Sequence, residues 1–262
     1  MPCQHGAVRY AANLSILFPE LALFDRPAAA ARAGFDAVES WWPFATATPA
    51  ATEVDGFVDA IRAAGVRLIA LNFFAGDLAA GDRGIVSWPG REAEFAASVR
   101  VAVDIGRRLG TTAFNALYGN RLPDTTGQDD VATRNLRNAA TEAAEIGATI
   151  LIEPVSGAPA YPLLTAADVV TVIDRVGADN VALLADLYHL SVNGDDVGKV
   201  IDVHYGRIGH VQIADAPGRH EPGTGQLDLA AWLHALDQRG YPGYVAAEYV
   251  PTGIGFDWMA AL

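Results

Sequence analysis

Ala148-Thr149-Ile150-Leu151-Ile152-Glu153-Pro154 places four strand-forming residues ahead of a carboxylate, and a proline then stops the ladder. A run this short and this continuously apolar has no polar face. It predicts a strand buried on both sides, as in a parallel sheet covered by helices. Three later runs share the form, Val181–Asp186, Arg207–Ile213 and Gly243–Tyr249. Four precede it, Arg9–Leu14, Phe35–Ser40, Val66–Asn72 and Thr111–Tyr118. The segments between them read as helices. In the third, Phe95, Val99, Ala102, Gly106 and Leu109 step by fours and threes along one face. Thr165-Ala166-Ala167-Asp168 is a helix-opening capping pattern, and Ala33-Gly34, Ala64-Gly65 and Arg239-Gly240 mark helix ends just before strands. Eight strand-then-helix units in 262 residues, with no compositional break or linker, predict an α/β chain folded as one (β/α)8 TIM barrel over residues 1–262. An open doubly wound sheet is the alternative. It would call for a Gly-x-Gly-x-x-Gly turn after the first strand, and Asn13-Leu14-Ser15-Ile16 holds no glycine.

Composition narrows the partners. There are 18 basic against 31 acidic residues, a net charge of −13, and Lys199 is the one lysine. Such a chain repels phosphate backbones and anionic headgroups, so no nucleic acid and no membrane is expected as a partner. Lys199 lies beside Asp195 and Asp196, a setting for a solvated side chain rather than a Schiff base. Cys3 is the single cysteine, which excludes an internal disulfide and Cys-rich zinc sites. Met1–Gly6 lacks a basic segment leading into an apolar run, and no stretch has the ~20 apolar residues of a membrane span. A cytoplasmic location is expected.

In a parallel barrel the chemistry sits at the C-terminal ends of the strands. The polar residues falling there are Glu39, Asn72, Asn115, Glu153, Asp186, Gln212 and Glu248. Units five to eight each end in an oxygen-bearing side chain, and neighbouring strands lie ~4.8 Å apart, so Glu153, Asp186, Gln212 and Glu248 can converge. Three carboxylates in an apolar mouth repel one another unless a cation joins them. All-oxygen ligation points to a hard or borderline divalent metal ion, Mg²⁺ or Mn²⁺ first, with Co²⁺ or Zn²⁺ as alternatives. Any one of these residues alone fits a helix cap or an arginine partner equally well; four in consecutive units favour a joint site. His189 is placed to contact substrate, shuttle a proton, cover the metal or serve structure. Arg219 opens the segment Arg219-His220-Glu221-Pro222-Gly223-Thr224-Gly225, a clamp for a carboxylate or phosphate, or else a surface turn. Phe73–Gly90 is the longest irregular stretch, and Trp41-Trp42-Pro43-Phe44 walls a pocket or packs under a loop. Neither a P-loop nor a Gly-x-Ser-x-Gly elbow occurs.

Several further motifs carry a resemblance: Tyr10-Ala11-Ala12-Asn13-Leu14-Ser15, Ala75-Gly76-Asp77 with Ala80-Gly81-Asp82-Arg83-Gly84, Leu151-Ile152-Glu153-Pro154, Asp186-Leu187-Tyr188-His189, His210-Val211-Gln212-Ile213-Ala214-Asp215 and Glu221-Pro222-Gly223-Thr224-Gly225. Nearly end to end, the chain resembles the hydroxypyruvate isomerase family of the xylose-isomerase-like TIM barrels. The resemblance implies interconversion of hydroxypyruvate and tartronate semialdehyde through an enediolate. Glu153 and Glu248 would be the acid/base pair, and Glu153, Asp186, Gln212 and Glu248 the metal ligands. Asn72, His189, Arg219 and Glu221 would contact the substrate, a small hydroxy-oxo acid, with Arg219 and His189 on its carboxylate. Phe73–Gly90 would form a lid. It also implies a homo-oligomer. Many relatives carry asparagine where this chain has Ser156, and several place histidine where Leu71 precedes Asn72, which opens the choice of substrate. A ketose 3-epimerase or a 2-oxo-tetronate isomerase would use the same site. A phosphodiesterase of the abasic-site endonuclease type would want more histidine and a basic face. A barrel kept for binding alone would show no metal dependence.

Overall fold

Each of the eight apolar runs contains a parallel strand: β1 (Arg9–Asn13), β2 (Ala37–Ser40), β3 (Arg67–Asn72), β4 (Ala113–Asn115), β5 (Thr149–Ile152), β6 (Val181–Asp186), β7 (Ile208–Ile213) and β8 (Tyr244–Ala247). In the computed structural model, which describes residues 8–262, they close into a barrel in sequence order. β8 returns to β1 with Arg9 opposite Tyr244 and Ala12 opposite Ala247. Cys3, His5 and the segment read for a leader lie outside the described residues.

Eight α-helices surround the described barrel: α1 (Arg26–Arg32), α2 (Ala51–Ala64), α3 (Glu92–Leu109), α4 (Gln128–Ala144), α5 (Ala166–Val176), α6 (Leu187–Val192), α7 (Val197–His204) and α8 (Leu229–Gln238). α3 buries Phe95, Val99, Ala102 and Gly106, four of the five residues on its apolar stripe, and ends at Gly110 in the left-handed region. α5 opens as its sequence requires: the Thr165 hydroxyl accepts from the Asp168 amide, and the Asp168 carboxylate accepts from the Thr165 amide at 2.9 Å. None of the helices is long and apolar enough to cross a membrane.

The last unit departs from the expected alternation. No α-helix follows β8, because Pro251, Gly253 and Gly255 break the run, and a 3₁₀ turn at Asp257–Ala260 takes its place. Trp258 from that turn packs edge-on against Tyr10 at 5.0 Å and Tyr249 at 6.1 Å.

Strand pairing puts the site residues at one level. Asn72 stands opposite Asn115, and Asp186 opposite Gln212, both at the C-terminal rim. The irregular stretch after β3 is tied to the β4–α4 connection. Gly84 donates to the Ala75 carbonyl at 2.9 Å, and the Arg83 carbonyl accepts from Gly119 at 2.9 Å. Gly84 has φ +101°, and a Cβ there would lie 1.8 Å from the Leu117 carbonyl oxygen, so only glycine fits the crossing.

Candidate active site

The C-terminal rim opens on a cavity of about 250 Å³. Glu153, Glu248, His189, Arg219 and Asn72, all named from sequence, line it, together with Ser156, Trp41, Leu78, Arg83, Leu117 and Val155. Asp186 and Gln212 lie buried beside them. Asp186 ends β6 and caps α6: its Oδ1 accepts from the amides of Tyr188 at 2.9 Å and His189 at 3.2 Å. That leaves Oδ2 for the site, 3.3 Å from Arg219 and 3.6 Å from His189.

Glu248 is the most heavily hydrogen-bonded of the acids. Oε1 accepts from Arg219 at 2.7 Å and from the Trp41 indole at 3.3 Å, and Oε2 accepts from Asn13 at 3.0 Å and from Gln212. Burial among Glu153, Glu39 and Asp186 nevertheless drives its pKa well above that of an ordinary glutamate, with Arg219 opposing. Glu153 accepts from Asn115 at 2.7 Å, and burial, then the charge of Asp186, pushes its pKa up to about 8. Under both lies Glu39, which accepts from Asn13, Gln212 and His210 and is held below the usual range by the His210 charge and these donors, despite its burial.

His189 is a neutral donor in this arrangement. The Ser156 amide donates to its Nδ1 at 3.0 Å, and the Ser156 hydroxyl lies 2.6 Å from the same atom. An amide cannot accept, so Nδ1 carries no hydrogen and the neutral ring carries it on Nε2. Burial lowers its pKa to about 4, which keeps the ring uncharged near neutrality.

The residues suit a metal ion. Atoms of Glu153, Asp186 and His189 lie within 4.8 Å of one another and could hold one. Gln212 spends its amide hydrogens on Glu39 and Glu248, which leaves Oε1 buried without a partner. A cation would satisfy that oxygen and offset the three carboxylates. Ligation by His189 would need a free lone pair on Nε2 and would set an Nδ1 hydrogen against the Ser156 amide. Of the oxygen set Glu153, Asp186, Gln212 and Glu248, Gln212 offers a free Oε1, whereas Glu248 already accepts from four donors and would have to release one to bind a cation.

Glu221, expected from sequence as a substrate contact, stands apart from these residues. Its carboxylate accepts from the Thr252 amide at 2.7 Å and hydroxyl at 3.0 Å, pinning the segment after β8 instead of lining the cavity. Asp215, with four backbone amides on its carboxylate, shapes the loop that carries Arg219. Sequence alone assigns no role to Arg83 or to Asp215. The signal for Arg83 is a cation inside a glycine-rich loop; for Asp215 it is an acid followed by glycines.

Residues 27–261 match the family model of the xylose isomerase-like TIM barrel. A Streptomyces coelicolor protein provisionally named hydroxypyruvate isomerase is 49% identical, over 97% of this chain and 96% of its own. The chain belongs to this barrel family, in its hydroxypyruvate isomerase group. It is an isomerase. A 2-oxo-tetronate isomerase of Cupriavidus necator, also similar, shares 36% identity over 96% of this chain and 97% of its own. A crystal structure titled as a family 2 AP endonuclease of Brucella melitensis superposes with a TM-score of 0.88 at 33% identity, covering 97% of this chain and 98% of that one. The hydroxypyruvate isomerase group thus has relatives named for more than one reaction, and the site must decide among them.

Proposed function

We propose that this isomerase interconverts hydroxypyruvate and tartronate semialdehyde. The observation that carries the reading is a pair of buried glutamates, Glu153 and Glu248, both with raised proton affinity, lining one small cavity beside a guanidinium and a neutral imidazole donor. A carboxyl that titrates nearer neutrality can both take and return a proton on carbon. One glutamate removes a proton from C3 of hydroxypyruvate, the C–H electrons form the C2=C3 bond of an enediolate, and the other glutamate delivers a proton to C2. The hydroxyl proton passes from the C3 oxygen to the C2 oxygen, leaving the aldehyde at C3. The Nε2 hydrogen of His189 serves an oxygen whose charge grows along the way. Arg219 holds Glu248 in place through the pair at 2.7 Å. A divalent cation, Mg²⁺ or Mn²⁺ first, held by Glu153, Asp186, Gln212 and Glu248, would supply Lewis-acid polarisation of the substrate oxygens.

Two observations weigh against the other readings. A net charge of −13 opposes a DNA-directed phosphodiesterase. Two arginines in the cavity lining favour an acid over a neutral six-carbon ketose.

The test is proton exchange in D₂O with the Mg²⁺-loaded protein and a panel of hydroxypyruvate, a 2-oxo-tetronate and a neutral ketose. The expected result is protein-dependent deuterium at C3 of recovered hydroxypyruvate, with tartronate semialdehyde formed alongside. Epimerised ketose together with unlabelled hydroxypyruvate would contradict the reading.

A further inference from the structure

An anionic substrate entering this cavity meets Glu153, Asp186 and Glu248, so its own carboxylate needs a cation that those acids have not already neutralised. Two arginines line the cavity. Arg219 is committed: Nη2 lies 2.7 Å from Glu248 and 3.3 Å from Asp186, and Nε donates to the Glu248 carbonyl at 3.2 Å. Arg83 is not. Its Nη1 donates to the carbonyls of Leu78 at 3.2 Å and Asp82 at 2.7 Å, and no carboxylate pairs with it among the described residues. The Nε and Nη2 edge of its guanidinium, the two-pronged edge that matches a carboxylate, has no protein partner among them either. The backbone around it is fixed. The Arg83 carbonyl accepts from Gly119, Gly84 is wedged on Leu117, and Asp82 holds the Asp77 amide at 2.8 Å. The guanidinium is thus half-buried, oriented by two carbonyls and still carries its charge.

We infer that Arg83 is the specificity-determining residue that receives the substrate carboxylate, and that it restricts the site to small hydroxy-oxo acids over neutral ketols. This rests on the proposed substrate class and moves the carboxylate from Arg219, where the sequence reading places it, to the loop after β3. Arg219 then serves the glutamate and Arg83 the substrate. The glycine-rich loop thereby contributes a binding group in addition to covering the cavity.

The experiment reads binding, so that it does not depend on turnover. Calorimetry with glycerate, a non-isomerisable acid, and glycerol, its neutral counterpart, is run on the full Mg²⁺-loaded chain and on Arg83→Gln, Arg83→Lys and Arg219→Gln. Glutamine cannot form the charge-assisted, two-pronged hydrogen bond, and its introduction weakens glycerate binding about tenfold to a hundredfold. Lysine restores part of the affinity, and the preference for glycerate over glycerol follows the same order. In kinetics with hydroxypyruvate the Arg83 variants are impaired mainly in KM, and the preference for hydroxypyruvate over dihydroxyacetone falls by a similar factor. Glycerate binding unchanged in Arg83→Gln, or abolished only in Arg219→Gln, overturns the assignment. Intact Arg83-dependent glycerate binding without any turnover of hydroxypyruvate would leave Arg83 in place and remove the proposed reaction instead.

Discussion

Glu153→Gln lowers kcat for hydroxypyruvate by about two to four orders of magnitude while the fold persists. That is the range supplied by one positioned proton-transfer group. Glutamine keeps the shape of the side chain and can still accept from Asn115 through its oxygen, so with saturating Mg²⁺ to offset the weakened metal ligand the loss is chemical. Glu248→Gln should fall as far, with an added structural penalty. Its carboxylate accepts from Asn13, Gln212, Arg219 and Trp41, and an amide there must turn N–H against one of those donors. Initial rates by NMR, with circular dichroism and urea midpoints as controls, check both. A rate within tenfold of the parent in either variant would mean that this glutamate does not carry the proton.

The second large effect is on stability and depends on pH. Glu153 is pushed up to about 8 in the folded chain, against 4.5 for an ordinary glutamate. Between those values the folded state holds a proton that the unfolded state has released. The stability linked to this proton is fully present below about pH 4.5 and is lost as pH rises through about 8. Glu248 shifts in the same direction. The metal-free protein should therefore lose on the order of 1 kcal/mol per pH unit from this site as pH climbs from about 5 to 8. Glu153→Gln, which has no charge to bury, flattens the slope and is the more stable protein at the alkaline end. A divalent cation flattens it too, because ionised carboxylates are the form that binds metal and proton release accompanies binding. Thermal melts in EDTA, then with Mg²⁺, read these slopes. Parent and Glu153→Gln melts that run parallel across the range would show that Glu153 is ionised throughout.

The barrel and much of its rim were legible because strand geometry leaves little freedom. A run such as Thr149–Ile152 must be buried on both faces, and the residue that ends it must face the rim, so Glu153, Asp186, Gln212 and Glu248 come together by topology. Loops carry no such constraint. Arg83 faces the cavity because Gly84 adopts φ +101° against Leu117 and two carbonyls orient its guanidinium, and none of this leaves a periodic signal. Glu221 sits in a segment that reads like a ligand loop, yet its carboxylate folds back on Thr252. The hydrogen placement on His189 is set by Ser156, 33 residues away, a contact the sequence could not announce. The expected helix after β8 fails for a reason that was visible, the one proline and two glycines of residues 251–255, but the run of βα units outweighed it.

The central claim is that metal and two glutamates act together on a hydroxy-oxo acid, and hydroxypyruvate turnover after metal removal tests it most directly. Protein stripped with EDTA should be inactive and should recover on addition of Mg²⁺ or Mn²⁺, forming tartronate semialdehyde, while Glu153→Gln and Glu248→Gln stay inactive under the same restoration. Full turnover by the stripped protein, or none by the metal-loaded parent, would contradict it.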